Sequence, residues 1–246
     1  MSAEDPQHDA IADNRDDQAA VPAIVDALRG GLVVSCQARP GSPLRSTAAI
    51  VALAAAAEQG GAAGLRVASP DDVRAVRART ALPIVGLHKV DAGGRRPLIT
   101  PTVADAVALV EAGADIVAIE CVAETRHPSD LAEMLASIHA HTGVPVMADV
   151  STLNEGLTAW ALGAALVATT LSGYTASSTP RGGPDLDLAA ALVKSGVRTV
   201  LEGRVQHPRQ VAEAFDLGAW CVVVGAAITD PVHLTRAYAE HSPGRA

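Results

Sequence analysis

From residue 31 onward the chain repeats one pattern eight times: a short apolar, often β-branched run, then a longer Ala-rich segment carrying charges on one side. The runs are GLVVSC (31–36), AGLRV (63–67), PIVGLH (83–88), DIVAIE (115–120), PVMAD (145–149), LVATT (166–170), TVLEG (199–203) and CVVVG (221–225). Helices are predicted near 46–59, 70–79, 102–112, 129–142, 152–162, 185–195, 208–217 and 231–241. Continuous apolar runs this short suit parallel strands covered on both faces, and parallel strands need crossover connections. Eight such units in about 215 residues predict a single α/β domain, a closed (β/α)8 or TIM barrel. An open doubly wound sheet is disfavoured because no Gly-x-Gly-x-x-Gly follows the first run.

The punctuation agrees. Ser69-Pro70-Asp71-Asp72 and Ser151-Thr152 offer side-chain caps, and Pro208 suits a first helical turn. Gly113, Gly163 and Gly218 each stand where a helix must reverse hand before the next run. The barrel domain is assigned to 21–246 without a linker. The segment 1–20 holds six acids against one Arg and is predicted to be a disordered or loosely packed acidic arm, unlike a signal or transit peptide.

Composition narrows the partners. Net charge is -8, five of those charges lie in the arm, and only five aromatic residues occur, so neither a basic nor a stacking nucleic-acid surface is expected. Cys36, Cys121 and Cys221 are too few and too scattered for a disulfide framework or a zinc spacing, which fits a reducing cytoplasmic setting. The longest uncharged stretch, 156–180, has an apolar part (157–171) interrupted by Gly163. It reads as a helix end and a buried strand rather than a membrane span.

Barrel chemistry gathers at the C-terminal ends of the strands. Here those positions are Gln37, Arg66, Lys89, Glu120, Asp149, Thr169 with Thr170, Glu202 and Gly225, mostly polar or charged. Lys89 is the sharpest candidate: an amine at a barrel mouth, desolvated and near positive charge, acts as a base toward a carbon acid or as a Schiff-base nucleophile. A lone lysine is more often simply exposed; its place straight after the third run favours function. Glu202, across the ring from the third run, is the partner for a second proton, with an ion pair to Arg204 or Arg66 as its plainer role. Gly203, Arg204, Gly225 and Ala226 provide small or backbone-accessible loops after the seventh and eighth runs, suited to an anion. His88 is expected to point outward and pack. No metal and no cofactor are predicted, since the histidines show no ligand spacing.

These residues resemble the N-acetylmannosamine-6-phosphate 2-epimerase family. The similar segments are 31–44 (GLVVSCQARPGSPL), 59–67 (QGGAAGLRV), 83–91 (PIVGLHKVD), 99–102 (ITPT), 147–152 (MADVST), 168–175 (ATTLSGYT), 201–208 (LEGRVQHP) and 222–229 (VVVGAAIT). The resemblance implies a metal-independent epimerase that inverts C2 of an N-acylated amino-sugar phosphate by deprotonation and reprotonation, often as a homodimer. By the same resemblance Lys89 and Glu202 are catalytic, Gln37, Arg66 and Asp149 hold the sugar, and the backbone at Gly203, Arg204, Gly225 and Ala226 cradles the phosphate.

Departures cluster near the site. Where the family has Arg-Asp-Tyr after the lysine, this chain has Val90-Asp91-Ala92; after the fourth run it has Glu120-Cys121-Val122-Ala123-Glu124, keeping Arg126; and Asp230 replaces an arginine that would face the phosphate. Two other readings therefore stay open: a diverged member acting on a different carbonyl compound, unphosphorylated or bound as a Schiff base on Lys89, and a non-catalytic sugar-phosphate sensor.

Overall fold

The structure, a computed structural model, describes residues 21–93 and 96–245. The expectation for the arm over 1–20 lies outside the described residues. Eight parallel strands close a ring: β1 (Leu32–Cys36), β2 (Gly64–Ala68), β3 (Ile84–Leu87), β6 (Ile116–Glu120), β7 (Val146–Asp149), β8 (Leu166–Ala168), β9 (Thr199–Glu202) and β10 (Cys221–Val224), with β10 pairing back onto β1. Two short strands, β4 (Lys89–Val90) and β5 (Leu98–Ile99), form an antiparallel hairpin between β3 and β6. The connecting helices are α2 (Thr47–Gln59), α3 (Pro70–Arg77), α4 (Val103–Glu111), α5 (Pro128–Thr142), α6 (Leu153–Ala161), α7 (Leu186–Lys194), α8 (Pro208–Asp216) and α10 (Pro231–Ala239), after a short α1 (Ala23–Asp26) and with a four-residue α9 (Ala226–Thr229). All eight predicted runs and all eight predicted helices are present.

Local chemistry explains the boundaries. Ser69 caps α3, and Thr102 and Thr152 open α4 and α6 with full capping boxes through Asp105 and Glu155. Gly113, Gly163 and Gly218 have φ of 107°, 97° and 91°, the left-handed turn that ends each preceding helix.

Strand alternation splits the apolar residues into two layers. Val33, Val85, Leu87, Ile116, Ala118, Met147, Val200 and Val223 fill the barrel, while Val34, Leu65, Val67, Val117, Ile119 and Ala148 pack against the helices. The N-terminal end is plugged from below by α1 and the turn after it. Val25 and Leu28 join the interior cluster, Trp220 Nε1 donates to Val25 O at 2.9 Å, and the Arg29 guanidinium lies 4.8 Å over the Trp220 ring. A Cβ on Gly64 would stand 2.6 Å from Leu28 Cδ2, so this plug needs glycine at the start of β2. With the bottom closed and the middle filled by apolar residues, the buried polar side chains of the strand ends gather at the C-terminal mouth. Among the described residues no helix is long and apolar enough to cross a membrane.

Candidate active site

The alternation that sends Val85 and Met147 inward also sends Arg66, Glu120, Asp149 and Glu202 inward at the ends of their strands. Arg66 is 1% exposed and grips Asp149 with two parallel hydrogen bonds, Nη1 to Oδ1 at 3.1 Å and Nη2 to Oδ2 at 2.6 Å. Its Nη1 also lies 2.9 Å from Glu202 Oε2. Thr170 Oγ1 donates to Asp149 Oδ1 at 2.6 Å. One buried guanidinium thus ties β2, β7 and β9 together across the ring, and the plainer role foreseen for Glu202, a pair with Arg66, is real. A planar fork matched to a carboxylate suits this position better than a lysine would.

This crowding sets the acid–base character of the mouth. Burial pushes the Glu202 carboxyl up to about 7, Asp149 pushes the same way, and Arg66 and Lys89 pull it down. Although Lys89 keeps exposed surface, desolvation lowers its pKa first and Arg66 lowers it further, with Arg39 adding to the effect; Glu202 and Asp149 oppose it. Burial alone would favour a neutral Arg66, but Asp149 and Glu202 outweigh it and hold the guanidinium charged. The site therefore holds one fixed cation beside a carboxyl raised to about 7 and an amine whose pKa is lowered from its ordinary value.

Lys89 is not on the barrel wall itself. β3 ends at Leu87, and Lys89 opens β4, pairing with Ile99 of β5. The base of this hairpin is fixed by Thr100, which donates its backbone N–H to His88 O at 2.7 Å and accepts from His88 N through Oγ1 at 3.0 Å. Thr100 has φ of 48°, a left-handed conformation that a β-branched residue adopts only when its surroundings impose it. His88 points outward as expected, its Nδ1 2.7 Å from Asp105 Oδ1 on α4.

The anion loops differ in what they offer. Gly203 (φ 100°) and Arg204 (φ 56°) form a left-handed turn after β9, and Ala226 opens α9 straight after Gly225. Among the described residues the backbone N–H groups of Gly203, Arg204 and Gly225 donate to no protein acceptor. The Arg204 side chain is already engaged: Nε donates to Gly183 O at 3.0 Å, Nη2 to Ser172 O at 2.7 Å, and the guanidinium lies 4.6 Å over Tyr174. What Arg204 offers a ligand is its backbone. Gln37 donates to Ser35 Oγ at 2.8 Å and leaves Oε1 without a partner, as Arg66 leaves Nε; Glu202 Oε2 has only its ion pair with Arg66 Nη1. Buried polar atoms without partners are costly, and Gln37 Oε1 and Arg66 Nε lie on residues of one mouth.

Four of the departures have structural duties. Glu120 accepts from Arg96, Ile99 and Thr125. Val122 is 1% exposed and packs into the barrel interior, and Glu124 accepts from the backbone N–H groups of Ala176 and Ser177, stapling two loops. Asp230 caps α10 by accepting from His233 N at 3.1 Å and stands 3.8 Å from Arg39 Nε. Arg96 and the hairpin that bears Lys89 were missed at the sequence level; a charged pair, Arg95-Arg96, inside a Gly-Pro loop was the only signal. Among the described residues no cluster of three His, Cys, Asp or Glu side chains is arranged around a metal position.

Comparison with known proteins gives a consistent answer. A protein-family model described as "Putative N-acetylmannosamine-6-phosphate epimerase" matches residues 50–242. A "Putative N-acetylmannosamine-6-phosphate 2-epimerase" of Klebsiella pneumoniae subsp. pneumoniae is 47% identical over 83% of this chain and 86% of its own length. A relative named likewise, with the suffix 2, from Salmonella paratyphi A is 44% identical over 85% of this chain and 90% of its own length. The solved N-acetylmannosamine-6-phosphate 2-epimerase from Clostridium perfringens superimposes with a TM-score of 0.83 at 35% identity, covering 91% of this chain and 98% of that one. A 3-hexulose-6-phosphate synthase at 21% identity and a TM-score of 0.59 shares the fold alone. By sequence and by structure, the chain belongs to the N-acetylmannosamine-6-phosphate 2-epimerase family.

Proposed function

We propose that this chain interconverts N-acetylmannosamine-6-phosphate and N-acetylglucosamine-6-phosphate by moving the C2 proton between Glu202 and Lys89. The observation that carries this reading is the pair itself: the hairpin bearing Lys89 follows β3, β3 and β9 stand four places apart in a ring of eight, and Lys89 and Glu202 each feel the charge of Arg66 and of one another. Inversion needs a proton removed from one face of the carbon and returned to the other, and an amine on the hairpin that follows β3, with a carboxyl at the end of β9, suits that need from two sides of the ring.

In the open-chain sugar the C1 carbonyl makes the C2 hydrogen acidic. One group takes that proton, the C2–H electron pair moves into a C1–C2 double bond, and negative charge develops on O1. The other group then protonates C2 from the opposite side as the C1 carbonyl re-forms. A carboxyl near 7 is both acid and base at neutral pH, which suits a reversible reaction. Arg66 and protonated Lys89 supply positive charge for the developing oxyanion. Gln37, with Oε1 unpartnered, suits the sugar, Asp149 bears on it through the Arg66 guanidinium it holds, and the free N–H groups at Gly203, Arg204 and Gly225, with Ala226, suit its phosphate. The chemistry asks for no metal or cofactor.

Incubation with N-acetylmannosamine-6-phosphate in D2O is expected to yield product carrying one deuterium at C2. Product without label refutes the proton exchange, and borohydride trapping of substrate on Lys89 would favour a Schiff-base reaction instead. We further propose a cytoplasmic homodimer. Three free buried cysteines suit a reducing compartment, and α10 has no buried residue of its own while Val232 and Tyr238 are exposed along it. Sedimentation equilibrium checks the dimer.

A further inference from the structure

Lys89 has left the barrel ladder, so its position depends on a hairpin of two-residue strands, and a hairpin that small is marginal in water unless something else holds it. Glu120 supplies that hold. It ends β6 inside the mouth with 2% exposure, a place where barrels put proton-transfer groups, yet its four hydrogen bonds have a different purpose. Arg96, from the hairpin loop, donates Nη1 to Oε2 at 2.5 Å and Nη2 to Oε1 at 2.9 Å. Ile99 N donates to Oε2 at 3.3 Å, and Thr125 Oγ1 to Oε1 at 2.7 Å. Ile99 is the residue paired with Lys89.

Every lone pair of Glu120 used here serves the loops, and two of its partners belong to the segment that bears the amine. Burial works to raise its pKa, but the Arg96 and Thr125 hydrogen bonds and the Arg96 charge outweigh it and keep the carboxylate ionised below its usual range. It is a fixed anion, unsuited to passing protons near neutrality, and thus differs from Glu202.

We propose that Arg96 and Glu120 form a clamp that sets where Lys89 stands: Glu120 fixes β5, β5 fixes β4, and Lys89 is carried on β4. Both are positioning residues. Neither is required to touch substrate. The inference rests on the reading of Lys89 as a proton-transfer group, and it separates this chain's fourth-strand carboxylate from the substrate-binding set.

The test uses the full chain with Arg96→Ala, Arg96→Lys, Glu120→Gln and the double variant Arg96→Ala/Glu120→Gln. Displacing a reacting group by about 1 Å can cost up to about 100-fold, so kcat is expected to fall about 10- to 100-fold in Arg96→Ala and Glu120→Gln, with KM within about threefold. The double variant should be no slower than the slower single variant, because both break one clamp. Arg96→Lys should recover part of the loss, and the alkaline limb of the kcat/KM profile should move upward as Lys89 regains water. Wild-type kcat with an unmoved alkaline limb, or a loss confined to KM, overturns the clamp. Amide hydrogen exchange keeps the two readings apart: the clamp requires faster exchange at Lys89–Val90 and Leu98–Ile99 in the variants with β6 and β7 unchanged, whatever the substrate. Unaltered exchange there overturns it even if the enzyme is active.

Discussion

Two arginine–aspartate pairs stand at opposite ends of this barrel. At the N-terminal end Arg77 donates to Asp115 Oδ2 at 2.8 Å and to the carbonyls of Thr80 and Leu82 at 2.7 and 2.6 Å, while Ile84 N donates to the same Asp115 oxygen. The group closes one loop against the starts of β3 and β6. At the mouth Arg66 and Asp149 are bonded just as closely, but a third charge, Glu202, is pressed against them with Oε2 2.9 Å from Arg66 Nη1, and Arg66 Nε has no hydrogen-bond partner. The lower pair is partly wet, at 26% and 31% exposure; the upper pair is dry, at 1% and 0%. The same two residue types therefore make a staple where charges are matched one to one, and a poised site where an extra carboxyl is buried beside them.

That contrast makes unequal demands on substitution. Glu202→Gln removes the surplus carboxyl at the mouth, and turnover should drop about 100- to 10,000-fold with the fold intact by circular dichroism. Asp149→Ala leaves a buried guanidinium without its main counterion and should cost about 3–5 kcal/mol in chemical denaturation. Arg77→Ala at the bottom strips Asp115 and two carbonyls of a donor, so about 1–3 kcal/mol of stability is expected to be lost with kcat unchanged. A fall in kcat there comparable to that of Glu202→Gln would erase the distinction between the two ends.

The last effect is a pH slope. Glu202 has its folded pKa raised, so the native state binds the extra proton more tightly than the unfolded chain. Stability is full below the ordinary carboxyl value of 4.5 and falls as pH rises toward about 7, by at most about 1.4 kcal/mol per pH unit. Denaturation midpoints measured between pH 5 and 8 should show this decline in the wild type and a flatter line in Glu202→Gln.

Much of the barrel was legible because parallel strands buried on both faces leave uninterrupted apolar runs, and because Gly113, Gly163 and Gly218 mark helix ends by a backbone need that only glycine meets cheaply. Strand-end positions were legible for the same reason: a polar residue closing such a run has nowhere to go but the mouth. The hairpin around Lys89 was not, since two-residue strands have no periodicity and their pairing spans a loop. The plug made by α1 was too short to show a helical pattern, and nothing local to Val25 or Leu28 announces the barrel floor. Arg66 was read as a sugar ligand; its bridge to both Asp149 and Glu202 depends on the ring closing, which brings residues 83 and 136 positions distant within one guanidinium's reach.

The two-sided proton transfer has a decisive signature in isotope exchange at C2, followed by NMR in D2O for Lys89→Met and Glu202→Gln with each epimer in turn. Each variant should lose interconversion yet keep exchanging the C2 hydrogen of one epimer, the one facing its surviving group, and the surviving epimer should differ between the two variants. Interconversion at the wild-type rate by either variant would contradict the assignment.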